Sequence, residues 1–325
     1  MHTHRGTVIG TLALTTALAL ALTACSDSDG SGKKTGSTAA GDGTHTVKTA
    51  MGDVEVKNNP KRVVVLDTAE LDSAVTLGVR PVGATRAGAE EAVLSYLPKS
   101  STKDITEVGE IAAPNLEKIA GLKPDLILSS KVRDGQRYQQ LSAIAPTVLT
   151  ETTGYPWKQN FLVHADALGR TAQAEKAISA YEDHAEAVTK ALGGKAKAAA
   201  TDVNVVRFVE GADIRIYGKK NYIGTILADV GVGRPAITDK AKDGFSYDVS
   251  PEQIDKADAD VIFTSTYGSP GKAKVTQTTT SGLWKNLKAV QDGKVFQVDD
   301  ELWLQGIGYT AANQILAELQ SDLTR

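Results

Sequence analysis

Residues 156–194 constrain the fold most strongly, because they carry helical periodicity in two runs that end at glycines. Pro156 suits the first position of a helix, and apolar residues then recur every three or four positions until Gly169. A second run starts at Thr171, an N-cap candidate, and would extend roughly 33 Å. Its apolar residues share one helix face: Ala174, Ile178, Tyr181, Ala185, Val188 and Leu192. The pattern predicts a rigid helical bridge between two lobes.

Short apolar runs alternate with helical patterns on both sides of this bridge, and that alternation predicts a mostly parallel α/β lobe on each side. A hairpin is expected around Gly52. In the first lobe we predict strands at 62–66, 81–84, 125–129 and 147–149, and helices at 69–77, 89–97, 115–121 and 136–144. In the second lobe we predict strands at 203–208, 214–217, 261–265 and 295–298, and helices at 223–230, 250–255, 283–290 and 310–323.

The N-terminus has the pattern of an export signal. Residues 1–24 contain a charge-free stretch rich in Leu and Ala after a short polar start, and no second long apolar run follows. Leu-Thr-Ala-Cys, ending at Cys25, resembles the bacterial lipobox, and Cys25 is the only cysteine of the chain. Cleavage nearby with an incidental cysteine is the alternative. We therefore expect a lipid anchor at Cys25 on the outer face of the cytoplasmic membrane.

These signals predict a five-part organisation. A lipoprotein signal peptide occupies 1–24, and a flexible tether rich in Gly, Ser and Thr occupies 25–45. An N-terminal α/β lobe then covers 46–155, the bridging helical segment covers 156–194, and a C-terminal α/β lobe covers 195–325. The net charge is −3 and no basic block is present, so a nucleic acid partner is not expected.

One segment occurs in both lobes with the same spacing. Glu117, Ile119, Asp125 and Ile127 in the first lobe match Glu252, Ile254, Asp260 and Ile262 in the second. Each glutamate lies two positions after an N-cap candidate, Asn115 or Ser250, and Ser250 with Gln253 has the pattern of a capping box. Both glutamates are therefore predicted to lie in the first turn of a helix.

These segments, together with "KRVVVLD", "VVRFVEGADIRIYG" and "LWKNLKAVQDGKVFQVDDELW", resemble the substrate-binding lipoproteins of iron-siderophore ABC importers. The resemblance covers the chain from about residue 47 to the C-terminus. It implies an α/β fold in which two Rossmann-like lobes are joined by one long helix, with the ligand in the cleft between them. It also implies no intrinsic cofactor, since iron arrives only as a bound ferric siderophore.

The resemblance further implies the partners and their contacts. Glu117 and Glu252 correspond to the two acidic residues that meet arginines of the ABC permease, which works with its ATPase. The alternative is that both merely complement helix dipoles. The ligand itself would be a ferric siderophore, with another iron chelate (catecholate or citrate), haem or cobalamin as the alternatives.

An enzyme is the rival class, but its motifs are weak. Residues 306–311 match G-x-G-x-x-A formally, yet they lie too close to the C-terminus for a following βαβ unit. We predict a close-packed turn before the last helix instead. A bare metal ion would need imidazole ligands. Of the five histidines, His45 falls in the predicted tether, and His164 and His184 are predicted to be surface or packing residues rather than ligands.

Candidate ligand-binding residues are those expected in loops after strands. Guanidinium groups can donate to metal-bound oxygens, and aromatic rings can cover apolar spacers. The predicted contact residues are Arg86, Arg133, Trp157, Arg207, Tyr217 and Trp303. Each also has an ordinary structural explanation, for example that Trp157 only packs the bridge against its lobe, whereas Trp284 is predicted to be core. A neutral ferric hydroxamate, such as the ferrioxamine type, suits this mixture of residues better than a trianionic catecholate.

Overall fold

In the computed structural model, which describes residues 43–87 and 93–325, the chain folds into two α/β lobes joined by helices. A hairpin of β1 (Thr44–Thr49) and β2 (Gly52–Lys57) begins the described chain. The folded body thus starts two residues earlier than predicted. His45, predicted to lie in the tether, is in β1, where its ring nitrogens contact Asn58 Oδ1 (3.0 Å) and the carbonyl of Asp166 (2.9 Å).

The first lobe contains a six-stranded sheet. Its strands are β3 (Val63–Val65), β4 (Gly83–Arg86), β5 (Thr106–Glu110), β6 (Ala113–Pro114), β7 (Leu126–Ser130) and β8 (Thr147–Thr150). The order is β6-β5-β4-β3-β7-β8, and every pairing is parallel except that of β5 with β6. The helices are α1 (Thr68–Thr76), α2 (Lys99–Thr102), α3 (Leu116–Gly121), α4 (Lys131–Asp134) and α5 (Tyr138–Ser142), with a 3-10 turn at Gly135–Arg137.

Several elements of this lobe differ from the sequence prediction, including the short helices α2 and α4, which were not predicted. Strand β5 was not predicted, because its sequence TEVGE is polar and contains glycine, and the edge strand β6 was not predicted because it is only two residues long. The helix expected at 89–97 lies partly outside the described residues, and 93–97 are not helical. The helix expected at 136–144 is divided between the 3-10 turn and α5.

The bridging segment consists of α6 (Trp157–Ala167) and α7 (Thr171–Ala191), followed by the short α8 (Lys195–Ala199). The break falls at Gly169, whose φ is +63° and where a Cβ would lie 2.0 Å from the carbonyl oxygen of Asn58. Thr171 is the first helical residue rather than the N-cap, which is Arg170. The apolar stripe of α7 is buried or half-buried as predicted, and the long bridging helix of the predicted fold is confirmed.

The second lobe contains a five-stranded sheet of β9 (Val203–Val209), β10 (Ile214–Tyr217), β11 (Ser246–Val249), β12 (Val261–Tyr267) and β13 (Val295–Gln297). The order is β11-β10-β9-β12-β13, and only β9, β12 and β13 are parallel. The helices are α9 (Tyr222–Val230), α10 (Val275–Thr279), α11 (Gly282–Lys285), α12 (Lys288–Gln291) and α13 (Tyr309–Leu323), with 3-10 turns at Ala236–Lys240 and Pro251–Ala257 and a π-helical turn at Glu301–Gln305.

The repeated segment has the same place in both lobes. Ile119 and Ile254 are fully buried, which seats α3 and the 3-10 turn Pro251–Ala257 on their sheets. Asp125 accepts hydrogen bonds from the amides of Lys61 and Arg62 just before β3, and Asp260 accepts one from the amide of Asp202 just before β9. Because β7 pairs with β3 and β12 pairs with β9, each aspartate ties the start of one central strand to its neighbour.

A buried carboxylate links the two lobes. Asp72 of α1 accepts hydrogen bonds from the amides of Thr310 and Ala311, each at 3.0 Å, and so caps the N-terminus of α13. The hydroxyl of Tyr96 donates to the same carboxylate at 2.9 Å. Gly308, in the predicted close-packed turn, comes so near that a Cβ there would lie 2.1 Å from Asp72 Oδ1. We call this arrangement the Asp72 cap.

Candidate functional site

The carboxyl ends of the parallel strands define one edge of each sheet. In open α/β sheets, ligands bind outside this edge. In the first lobe the edge carries the residues that follow β3, β4, β7 and β8, and in the second those at the ends of β9, β12 and β13. Ser95, in the loop between β4 and β5, donates through its amide (2.9 Å) and hydroxyl (2.7 Å) to Glu301 Oε2, just after β13. The two edges therefore meet at this contact.

Two arginines of the first lobe are paired with carboxylates at this edge. Arg133, in α4 directly after β7, donates from Nε to Asp67 Oδ2 at 2.8 Å. Asp67 follows β3 and also caps α1 through the amide of Thr68. Burial raises the pKa of Asp67, the neighbouring Glu70 adds to the rise, and Arg133 opposes it. Arg86, at the end of β4, forms an ion pair with Glu110 at the end of β5.

Beneath this edge lies a buried polar layer that the sequence did not predict. Glu70 and His164 are fully buried, and their facing atoms Oε1 and Nε2 are 3.5 Å apart. His164 Nδ1 is 2.9 Å from the hydroxyl oxygen of Ser73. The spacing of Asp67 and Glu70 matches a capping box. A capping box predicts where a helix begins, but it does not predict that the carboxylate is buried. His164 is thus a packing residue, as predicted, although it bonds within a polar layer.

The second lobe presents a more elaborate arginine site. Arg207, near the end of β9, donates from Nε to Asp300 Oδ1 (2.7 Å) and from Nη2 to Asp300 Oδ2 (2.5 Å). Its Nη1 is 3.4 Å from the hydroxyl of Tyr217, and its guanidinium lies 4.8 Å from the centre of the Tyr267 ring. Burial disfavours the charge of Arg207, but Asp300 and Tyr217 outweigh that effect and raise its pKa.

A surface depression of about 700 Å³ adjoins this arginine site. It is lined by Arg215, Phe245 and Tyr247 together with Lys240, Lys242, Asp243, Ser246 and Asp248. Arg215 pairs directly with Arg207 across β9 and β10, so both side chains leave the same face of the sheet. The ring of Phe245 packs 5.5 Å from that of Tyr217, which makes the depression continuous with the arginine site.

Two of the predicted contact residues lie in the interior, and a third, Tyr217, is 4% exposed and reaches the arginine site only through its hydroxyl. Trp157 is 2% exposed, donates from Nε1 to Thr225 Oγ1 at 2.8 Å, and packs against the rings of Tyr181, Tyr222 and Tyr309. Trp303 is fully buried, stacks on Phe263 and donates to Glu318 Oε2 at 2.6 Å. Both tryptophans hold core elements together, so neither offers a surface to a ligand. Trp284 is core, as predicted.

The aromatic surface comes from residues that the prediction ranked lower or missed. Large apolar side chains that are strongly exposed at the carboxyl ends of parallel strands are Val132 and Tyr155 in the first lobe and Tyr267 in the second, whereas the exposed Phe245 precedes β11 and reaches Arg215 and Tyr217 from the side. None of these four exposed residues is among the six predicted contact residues. The only available signal was position, because Tyr267 is the last residue of a strand that ends at this edge.

Glu117 and Glu252 each lie in the first turn of a helix, and both are exposed. Asn115 caps α3 by accepting from the amide of Lys118 at 2.9 Å, and Glu117 follows on the surface. The expected capping box of Ser250 with Gln253 does not form, since Gln253 leaves helical geometry at φ −120°. The Ser250 hydroxyl instead bonds to Glu252 and lowers its pKa.

Cys25 and the predicted signal peptide lie outside the described residues. Within 43–87 and 93–325, no helix is long and apolar enough to cross a membrane. The same part of the chain contains no cluster of three or more His, Cys, Asp or Glu residues suited to a metal ion. His184 contacts Asn313 Oδ1 at 3.0 Å, which is a packing contact.

Comparisons with known proteins agree with this architecture. The family model described as periplasmic binding protein matches residues 63–302. The chain is 36% identical over 312 residues to the probable siderophore-binding lipoprotein YfiY of Bacillus subtilis, covering 93% of this chain and 94% of that protein. It is 30% identical over 330 residues to the Fe(3+)-citrate-binding protein YfmC of the same organism, covering 98% and 99%.

A solved structure is similar over nearly its full length. The crystal structure of Staphylococcus aureus SirA complexed with staphyloferrin B superimposes with a TM-score of 0.77 at 36% sequence identity. The match covers 86% of this chain and 98% of that one.

Proposed function

This chain belongs to the periplasmic binding protein family, and from that membership we propose that it captures a ferric siderophore outside the cell and delivers it to an ABC importer. Proteins of this family bind solutes rather than transform them, and YfiY is named as a probable siderophore-binding lipoprotein. The observation that carries the proposal is the lining of the strand ends. Arginines and exposed aromatic rings occur together there in the second lobe, and Arg86, Arg133 and Tyr155 occupy the first.

This lining suits a chelate that is held by its outer surface. Guanidinium N–H groups can donate to the oxygens that surround a ferric ion, and the rings of Tyr155, Phe245 and Tyr267 can cover apolar spacers. Iron would arrive already chelated, so it is cargo and not a resident cofactor. We propose Arg86, Arg133, Arg207 and Tyr217 as contact residues and add Arg215, Phe245 and Tyr267 to them.

We further propose that the chelate is a neutral ferric hydroxamate. Arg86, Arg133 and Arg207 each face a carboxylate of this chain, so their pairs add little net charge to the lining. A trianionic ferric catecholate would have to be buried without matching cations, which is costly. Ferric citrate is the second candidate, favoured by the similarity to YfmC.

Glu117 and Glu252 are the proposed contacts with the permease. They occupy equivalent positions of the two lobes, both are exposed, and neither forms an ion pair within the described part of the chain. Two carboxylates spaced across two lobes could meet a pair of cationic residues on one membrane partner. Helix-dipole complementation, worth about 0.3–1 kcal/mol per residue at most, remains the structural alternative.

Export and anchoring complete the proposal. YfiY is named a lipoprotein, and the present chain has Cys25 at the end of a signal-like segment. We propose that Cys25 carries lipid and holds the protein at the outer face of the cytoplasmic membrane.

Titration of tryptophan fluorescence tests the ligand class. The ferric forms of ferrioxamine B, ferrichrome, enterobactin and citrate would be added separately, with each iron-free chelator as the control. A coloured ferric chelate quenches buried tryptophans by energy transfer, so contact with Trp157, Trp284 or Trp303 is not required. We expect saturable quenching by a hydroxamate complex and little by ferric enterobactin. The opposite order would overturn the ligand class while leaving the transport function in place.

A further inference from the structure

Three arginines at the strand ends of the two lobes each contact a carboxylate of the same chain. Arg207 pairs with Asp300, Arg133 with Asp67, and Arg86 with Glu110. The first two acidic partners are at most 10% exposed at their side chains, so water screens these pairs weakly. Without its partner, each arginine would present a full positive charge to a ligand.

Asp300 is held in position by more than the arginine. The Ser265 hydroxyl donates to its Oδ1 at 3.0 Å, and Gln305 Nε2 donates to its Oδ2 at 2.9 Å. Ser265 is the neighbour of Arg207 on the adjacent strand β12, so the sheet itself aligns the donor and the acceptor. The carboxylate is therefore built into the floor of the arginine site and is not a mobile surface group.

The pairing leaves Arg207 able to donate while cancelling its charge. Three of the five N–H groups of a guanidinium are used by Asp300 and Tyr217. Two N–H groups have no hydrogen-bond partner among the described residues, and the 10% of the side chain that stays exposed lies beside the exposed ring of Tyr267, where a ligand oxygen would meet it. Arg207 thus resembles a neutral hydrogen-bond donor more than a free cation.

Arg215 provides the internal contrast. It lies directly across from Arg207 on β10, and its guanidinium is 6.0 Å from the centre of the Phe245 ring. Within residues 43–87 and 93–325, no carboxylate lies within ion-pair distance of Arg215. Asp248 lies opposite Arg215 on β11 and on the same face, but beyond ion-pair distance, so within the described residues this face carries one guanidinium in a direct ion pair and one without.

We infer that Asp300 is a specificity-determining residue that sets the charge of the chelate this protein accepts. By neutralising Arg207 it lets the site hydrogen-bond to a chelate of low net charge, and its buried carboxylate repels a strongly anionic one. Arg215 opposes this effect from the neighbouring strand. The inference rests on the proposed function, since it concerns the selectivity of the same site.

The test compares the Kd values of two ferric complexes, neutral ferrichrome and trianionic ferric enterobactin, for the wild type and three variants. Asp300→Asn frees the charge of Arg207 and should raise the affinity for ferric enterobactin relative to ferrichrome by at least about tenfold. Arg215→Gln removes a cation that has no direct ion-pair partner within the described residues and should shift the same ratio in the opposite direction. The double variant Arg207→Gln/Asp300→Asn removes both partners and should return the ratio to within about threefold of the wild type.

Asp183→Asn is the matched control. It makes the same change of charge on the exposed face of α7, away from the strand ends, and should leave the ratio within about twofold of the wild type. If the wild type binds ferric chelates but Asp300→Asn leaves the ratio unchanged, the inference about Asp300 is wrong and the proposed function stands. If the wild type binds neither these nor any other ferric chelate, the proposed function itself fails. If Asp300→Asn does not fold, Arg207→Gln decides the question: it leaves the Asp300 carboxylate without its cation and should shift the ratio against ferric enterobactin by at least about tenfold, and an unchanged ratio would overturn the inference.

Discussion

Substitution of Gly308 by alanine tests the Asp72 cap. The new Cβ would lie 2.1 Å from Asp72 Oδ1, 2.4 Å from its Cγ and 2.7 Å from its Cβ. Rotation of the Asp72 side chain cannot relieve the last contact, so α1 and the start of α13 must separate. The backbone at Gly308 is extended, with φ 160°, so the cost is steric and does not come from backbone strain.

The magnitude follows from two effects. Overpacking in a rigid interior costs about 1–3 kcal/mol. Separation also weakens the hydrogen bonds from the amides of Thr310 and Ala311 to the carboxylate, and bonds to charged groups contribute about 1.5–3 kcal/mol each. Since the bonds would lengthen rather than disappear, we expect Gly308→Ala to lower the free energy of unfolding by about 3–6 kcal/mol.

Urea unfolding followed by circular dichroism measures this loss. Gly121→Ala is the matched control, because Gly121 ends α3 and a Cβ there meets nothing within 4 Å. The control should change the free energy of unfolding by less than about 1 kcal/mol. The double variant Gly308→Ala/Asp72→Ala should lose less than the sum of the two single variants, because both disturb the same contacts. A Gly308→Ala protein as stable as the control would refute the close approach on which the Asp72 cap depends.

Three further predictions concern charge and anchoring. Asp260 has a lowered pKa because the amide of Asp202 and then Lys288 stabilise its carboxylate, so its contribution to stability is present above about pH 3.8 and is lost as the pH falls through its folded pKa. Asp260→Asn should therefore lower the free energy of unfolding by up to about 1 kcal/mol near pH 7, and the difference from the wild type should shrink below pH 4; a constant difference would contradict this. Reversing the charges of Glu117 and Glu252 should abolish siderophore uptake by cells but leave the Kd for the siderophore in solution unchanged. As the control, the same reversal at Glu175 and Glu182, two exposed glutamates of α7, should leave uptake intact. Cys25→Ala should release a normally folded protein into the medium, and undiminished membrane retention would argue against the anchor.

The sequence predicted most of the fold because its signals are local. The periodicity of residues 171–191 and the break at Gly169 locate the bridge correctly, and the repeat built on Ile119 and Ile254 identifies equivalent elements in the two lobes. Strands β5 and β6 were missed, since pairing with a neighbour, rather than composition, makes them strands. The antiparallel arrangement of β10 and β11 likewise depends on tertiary pairing.

The candidate site was less predictable, because exposure and partnership are not local properties. Trp157 and Trp303 had the right chemistry and the right neighbours in sequence, but aromatic residues next to a strand end can turn inward as readily as outward. The pairing of Arg207 with Asp300 joins residues that are 93 positions apart, and nothing in either local sequence indicates it. Arginines could therefore be nominated from sequence, whereas their compensation by carboxylates could not.

Equilibrium dialysis with radiolabelled iron tests the central claim most directly. The folded protein would be dialysed against a labelled ferric hydroxamate, with labelled iron in a weak non-siderophore chelator as the control. We predict saturable binding of one ferric complex per protein molecule and no binding of iron from the control. Failure to retain any ferric chelate across hydroxamate, catecholate and citrate classes, or retention of bare iron alone, would contradict the proposal that this protein captures siderophores between its two lobes.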